Sequence, residues 1–81
     1  MKNLQIEMKR KGGYGQYVII ATFDHNGEAQ TTSKHSTDSQ LFDEIADLAI
    51  ENKYAKIQTR LQYIIGEQIE EKIEELNYFE Q

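Results

Sequence analysis

The sequence predicts an α+β fold: a three-stranded antiparallel β-meander followed by two α-helices (β-β-β-α-α), in a single domain spanning 1–81. Three observations predict it. Up to about Lys34, apolar and polar residues alternate with a period of two. An Asn26-Gly27 pair, the commonest signal for a tight hairpin turn, divides that region. From Leu41 onward, apolar residues recur at steps of three and four, the spacing of a helix face. Strands first and helices afterwards is the α+β pattern.

Leu4, Ile6 and Met8 alternate with Gln5, Glu7 and Lys9, which reads as a strand with one buried face. Gly12-Gly13-Tyr14-Gly15 supplies a turn. The next strand, Gln16 to Phe23, places Tyr17, Ile19, Ala21 and Phe23 on one side and Val18 and Ile20 on the other. Apolar residues on both sides suit a central strand. After Asp24-His25-Asn26-Gly27, residues Glu28 to Lys34 are rich in Thr and Ser and read as an edge strand.

Thr37-Asp38-Ser39-Gln40 has capping-box spacing, and Asp38 suits the positive end of a helix dipole. The first helix is expected to run to about Glu51, burying Leu41, Phe42, Ile45, Leu48 and Ala49. The apolar stripe then changes face, so a break is expected at Asn52-Lys53 although no Gly or Pro enforces it. One continuous helix from Asp38 to Tyr78 is the alternative. At about 60 Å it would be too long for the sheet. The second helix, Tyr54 to Phe79, carries its stripe at Tyr54, Ile57, Leu61, Ile64, Ile65, Ile69, Ile73 and Leu76.

An 81-residue chain has a thin core, because a small domain buries only about 60% of its unfolded surface. With no Cys there is neither a disulfide framework nor a thiolate metal site. No apolar run is long enough to span a bilayer, and Met1 to Lys11 lacks the apolar core of a signal peptide. The expected location is the cytoplasm of a bacterial host. The net charge of −5 is uneven: residues 1–36 carry +2 and residues 37–81 carry −7. An acidic half disfavours nucleic acid, which needs cations to replace its counterions, and favours basic protein surfaces.

Most chemistry-bearing types have simpler readings. His25 and His35 sit far apart on a hairpin and lack metal-ligand spacing. The Gly-rich turn leads into a strand, so it matches no phosphate-binding fingerprint. Lys9-Arg10-Lys11 with Tyr14 and Tyr17 could form a small nucleic-acid platform, but three cations on an acidic protein are a weak footprint. Ser36 beside His35 is a sequence neighbour and makes no nucleophile–base pair by itself. No catalytic residue, cofactor site or metal site is assigned, and an enzyme is not expected.

The acidic faces remain. On the second helix Glu67, Glu70, Glu71, Glu74 and Glu75 cover an arc of roughly 140°, opposite Ile69, Ile73 and Leu76. Only Lys72 could serve one of them. Like charges at three- and four-residue spacing cost a few tenths of a kcal/mol per pair, and the negative end of the dipole disfavours them too. The first helix adds Asp43, Glu44 and Asp47, and the C-terminus adds Tyr78 and Phe79. These ten residues are the candidate partner-binding set.

Tyr14-Gly15-Gln16-Tyr17 leading into a strand, a polar strand ending in Thr/Ser, and Ser36-Thr37-Asp38-Ser39-Gln40 opening a helix resemble small proteins of bacteriophages and prophages. The β-β-β-α-α order and the acidic surface are similar to some anti-CRISPR proteins, which block a nuclease by occupying its nucleic-acid site. The resemblance covers residues 14–40 at motif level and the rest in size and charge. Those proteins share no signature motif, so it carries over no functional residue. It implies an acidic inhibitor that covers a basic, nucleic-acid-binding surface of a host protein such as a CRISPR effector. The alternative is a self-associating phage accessory protein without catalytic role, its partner a second copy seated on the apolar helix stripe and Tyr78-Phe79.

Overall fold

The computed structural model describes residues 2–12 and 15–79. Three strands, β1 (Lys2–Arg10), β2 (Tyr17–His25) and β3 (Glu28–Ser36), precede two helices, α1 (Ser39–Ile50) and α2 (Tyr54–Phe79). The sheet is antiparallel in the order β1-β2-β3. This is the α+β arrangement that the periodicities predict.

The β2–β3 hairpin closes through Asn26 (φ 53°) and Gly27 (φ 82°). Two positive φ values define a type I′ turn, whose twist matches that of the strands. The turn fixes the register from His25↔Glu28 through Phe23↔Gln30 and Ala21↔Thr32 to Tyr17↔Ser36. His25 and Asp24 are therefore strand residues, and β3 runs to Ser36, two residues past its expected end. On the other side, Ile6 faces Ala21 and Met8 faces Ile19. Near the start of β1 the register shifts between Lys2 and Gln5. Asn3 takes a left-handed φ of 57° there and donates through Nδ2 to Asp24 Oδ2 at 2.7 Å. The extra residue is a β-bulge.

The inner sheet face carries Ile6, Ile19, Ala21 and Phe23, all buried. Against it lie Leu41 of α1 and Ile57, Leu61, Ile65 and Ile69 of α2. Steps of four keep these four α2 residues on one slowly drifting stripe. Tyr54, at the head of the expected stripe, is instead 59% exposed, because the sheet does not reach that first turn. Among the described residues no helix covers the outer sheet face. Val18 and Ile20 are half-buried there, with Lys9 and Glu7 beside them on β1 and His35 and Ser33 on β3.

The cap of α1 is Asp38, one residue later than the capping box places it. Its carboxylate accepts the Leu41 amide at 3.1 Å, and Ser36 Oγ accepts the Asp38 amide at 3.1 Å. An aspartate cap satisfies an orphan donor as a threonine would, so the competition between neighbours is close. The break between the helices lies where the stripe changes face. Asn52 adopts a φ of 59°, its amide donates to Ala49 C=O at 3.1 Å, and the Lys53 amide donates to Leu48 C=O at 2.9 Å. That pair of bonds is a Schellman motif, with Asn in the left-handed position more often held by Gly.

Candidate interaction surfaces

The last ten residues of α2 stand apart from the rest of the helix. Burial on α2 ends at Ile69, and Ile73 is only half-buried. Glu67, Glu70, Glu71, Glu74 and Glu75 are all exposed. Among the described residues no ion pair reaches them; the acids in salt bridges are Glu7, Glu51 and Glu44. No basic residue occupies the final turn to offset the helix dipole.

Tyr78 follows Glu71, Glu74 and Glu75 by seven, four and three residues, so it shares their face. Tyr78 and Phe79 are 75% and 77% exposed, and their rings meet edge to face at 5.5 Å. A pair of rings held this way in water is a large apolar area next to unneutralised carboxylates. Aromatics of this kind anchor protein interfaces.

The structure divides the ten candidate residues. Asp43, Glu44 and Asp47 are exposed on α1. Glu44 accepts from Arg60 Nε of α2 at 3.5 Å, so it is partly neutralised. Arg60 precedes Glu70 by ten residues, about 15 Å along the axis. The α1 acids therefore flank the first half of α2, away from the Glu67–Glu75 group. Between the helices lies a cleft of about 450 Å3, lined by Glu44, Leu48, Ala55, Lys56, Thr59 and Arg60. Of its charges, Glu44 and Arg60 pair with one another.

Of the apolar stripe considered above as a dimer seam, Ile57, Leu61, Ile65 and Ile69 are core residues, Ile64, Ile73 and Leu76 are half-buried, and Tyr54 is exposed. The basic run does not form a stacking platform with Tyr17. That ring is 4% exposed and stacks on Phe42 at 4.4 Å and 13°. Lys9 is paired with Glu7 at 3.4 Å. Of the Gly-rich turn, Gly13 and Tyr14 lie outside the described residues. Gly12 (φ 74°) and Gly15 (φ 67°) flank them, and the Lys11 amide donates to Gln16 C=O at 2.7 Å. Among the described residues no three His, Cys, Asp or Glu side chains gather as metal ligands, and no helix is long and apolar enough to cross a membrane.

Residue-by-residue reading missed Gln58. Its Nε2 donates to Ile6 C=O at 2.7 Å and its Oε1 accepts the Ile6 amide at 3.2 Å. It thereby satisfies the outward backbone of an edge strand. The signal was present: Gln58 lies seven residues before Ile65, inside the apolar arc. A polar residue there calls for a polar partner.

Compared with known proteins, the chain matches no family model, no curated protein and no solved structure.

Proposed function

We propose that this protein is a non-catalytic binding domain that covers a basic surface of another protein with the C-terminal end of α2. One observation carries the reading. Glu70, Glu71, Glu74 and Glu75 are exposed and unpaired among the described residues, and Tyr78 and Phe79 stand exposed beside them. The carboxylates supply steering and orientation, and the rings supply desolvated contact area. The exposed carboxylates form a negative surface without ion pairs among the described residues, and a nucleic-acid backbone likewise presents negative charge. The reading therefore extends to a partner whose basic surface binds nucleic acid. With the resemblance to phage proteins, that partner is a nucleic-acid-handling protein of the host cytoplasm, a CRISPR effector being one example, and the outcome of binding is inhibition.

The test is a pull-down from bacterial lysate with the wild-type chain and with the Glu70→Lys, Glu71→Lys, Glu74→Lys triple variant. All three positions are exposed, so the variant keeps its circular dichroism and melting behaviour. The expected result is a basic protein retained by wild type and absent from the variant. Equal retention by the variant would overturn the reading.

A further inference from the structure

The two edges of the sheet are treated differently. On β1, Gln58 holds the outward amide and carbonyl of Ile6, and the Asn3 bulge bends one end. Edges guarded this way resist pairing with another chain. On β3 the described residues show neither a bulge nor a side chain bonded to the outward backbone. The type I′ turn makes His25↔Glu28 a hydrogen-bonded pair, and the alternation then repeats at Phe23↔Gln30, Ala21↔Thr32 and Ile19↔Lys34. Gln58 confirms the parity from the far side: Ile6 turns its backbone away from Ala21, so Ala21 turns its own toward Thr32. The amides and carbonyls of Ala29, Thr31, Ser33 and His35 consequently point outward. All four residues are exposed.

We propose that a second copy of this chain docks on β3, antiparallel, with Thr32 on the two-fold axis. This register uses the whole strand and matches the outward groups, pairing Thr31 with the partner's Ser33 and Ala29 with the partner's His35. On the helix side, Lys34 meets the partner's Gln30, with the partner's Glu28 on the diagonal, within reach of a long side chain. The two lysines stay four positions apart along the strand, about 13 Å. An inward-pointing lysine ordinarily guards an edge; here it finds an amide and a carboxylate. Shifting the axis to Lys34 would set the two lysines face to face. Self-complementarity about one axis is what an isologous dimer requires, and it favours a second copy over an unrelated strand. One open edge per chain also closes the assembly at a dimer. The six-stranded sheet would end on both sides at a β1 guarded by Gln58. This dimer uses neither the acidic end of α2 nor Tyr78 and Phe79, so it stands or falls separately from the binding role.

The experiment measures solution mass by light scattering and amide exchange of Thr31 and Ser33 on the full chain. The expected result is twice the 9.5 kDa monomer mass at high concentration. Exchange at both amides is expected to slow at least ~10-fold as the dimer fills. Thr31→Pro removes an outward N–H that β2 does not use, so the monomer fold survives while the dimer is lost. The exposed pair Thr31→Glu with Ser33→Glu opposes like charges across the axis and is expected to be monomeric. Mixing it with Thr31→Lys plus Ser33→Lys restores the dimer. A monomer at all concentrations, a dimer that survives Thr31→Pro, or a charge-swapped mixture that stays monomeric would each overturn the proposal. Protection of the same amides in a monomer by an added extended peptide would overturn it too, by assigning the edge to another occupant.

Discussion

The side-chain amide of Gln58 takes the place of a neighbouring strand beside Ile6, donating to its carbonyl at 2.7 Å and accepting its amide at 3.2 Å. One residue of α2 thereby docks the helix to β1 and closes the middle of an edge. Replacing it with Ala leaves both Ile6 groups without their partner. The expected loss is about 1–3 kcal/mol, the cost of part-buried backbone groups losing their bonds. Urea unfolding measures it. Turbidity of the concentrated variant should rise as well, because β1 becomes a second open edge.

The core is thin, so its largest buried side chains matter most. Leu61 and Ile65 are fully buried against the sheet, whereas Tyr63, between them in sequence, is 84% exposed. Leu61→Ala is expected to cost about 2–5 kcal/mol through lost burial and the cavity left behind. Tyr63→Ala should stay within about 0.5 kcal/mol of wild type, as surface changes do. Paired denaturant titrations compare the two. Equal losses would contradict the orientation of α2.

The reversal between the helices depends on Asn52 in the left-handed region, at φ 59°. Asn52→Gly should be neutral or slightly stabilising, since Gly pays no steric cost there. Asn52→Val should cost about 1–2 kcal/mol, because a branched Cβ crowds the backbone in that conformation. Thermal melts of the two variants should bracket wild type or place Gly level with it.

These cases show which parts of the fold could be read from the residues alone. Period-two alternation, Asn26-Gly27 and the shift of the apolar stripe near Asn52 are local signals, and local geometry answered them. Asp38 replaced Thr37 as the cap because adjacent side chains compete for the same amides. Tyr54 is exposed and Tyr17 buried because their surroundings depend on how far α2 and α1 extend over the sheet, which no short window contains. Gln58 was missed for the same reason: Ile6, the group it serves, lies 52 positions away. Of the candidate partner-binding residues, the exposure of the five α2 acids followed from helical spacing; that Tyr78 and Phe79 end α2 exposed, rather than folding back onto the sheet, did not. The Glu44–Arg60 pairing needed the packing of α1 on α2.

The most direct test of the central claim is a binding titration of the captured partner against the wild-type chain and the Glu70→Lys, Glu71→Lys, Glu74→Lys variant, at low and high salt, with and without nucleic acid. Affinity is expected to fall with salt, to be lost in the variant, and to be competed by the partner's own nucleic acid. Binding that ignores salt, charge reversal and nucleic acid would contradict that claim.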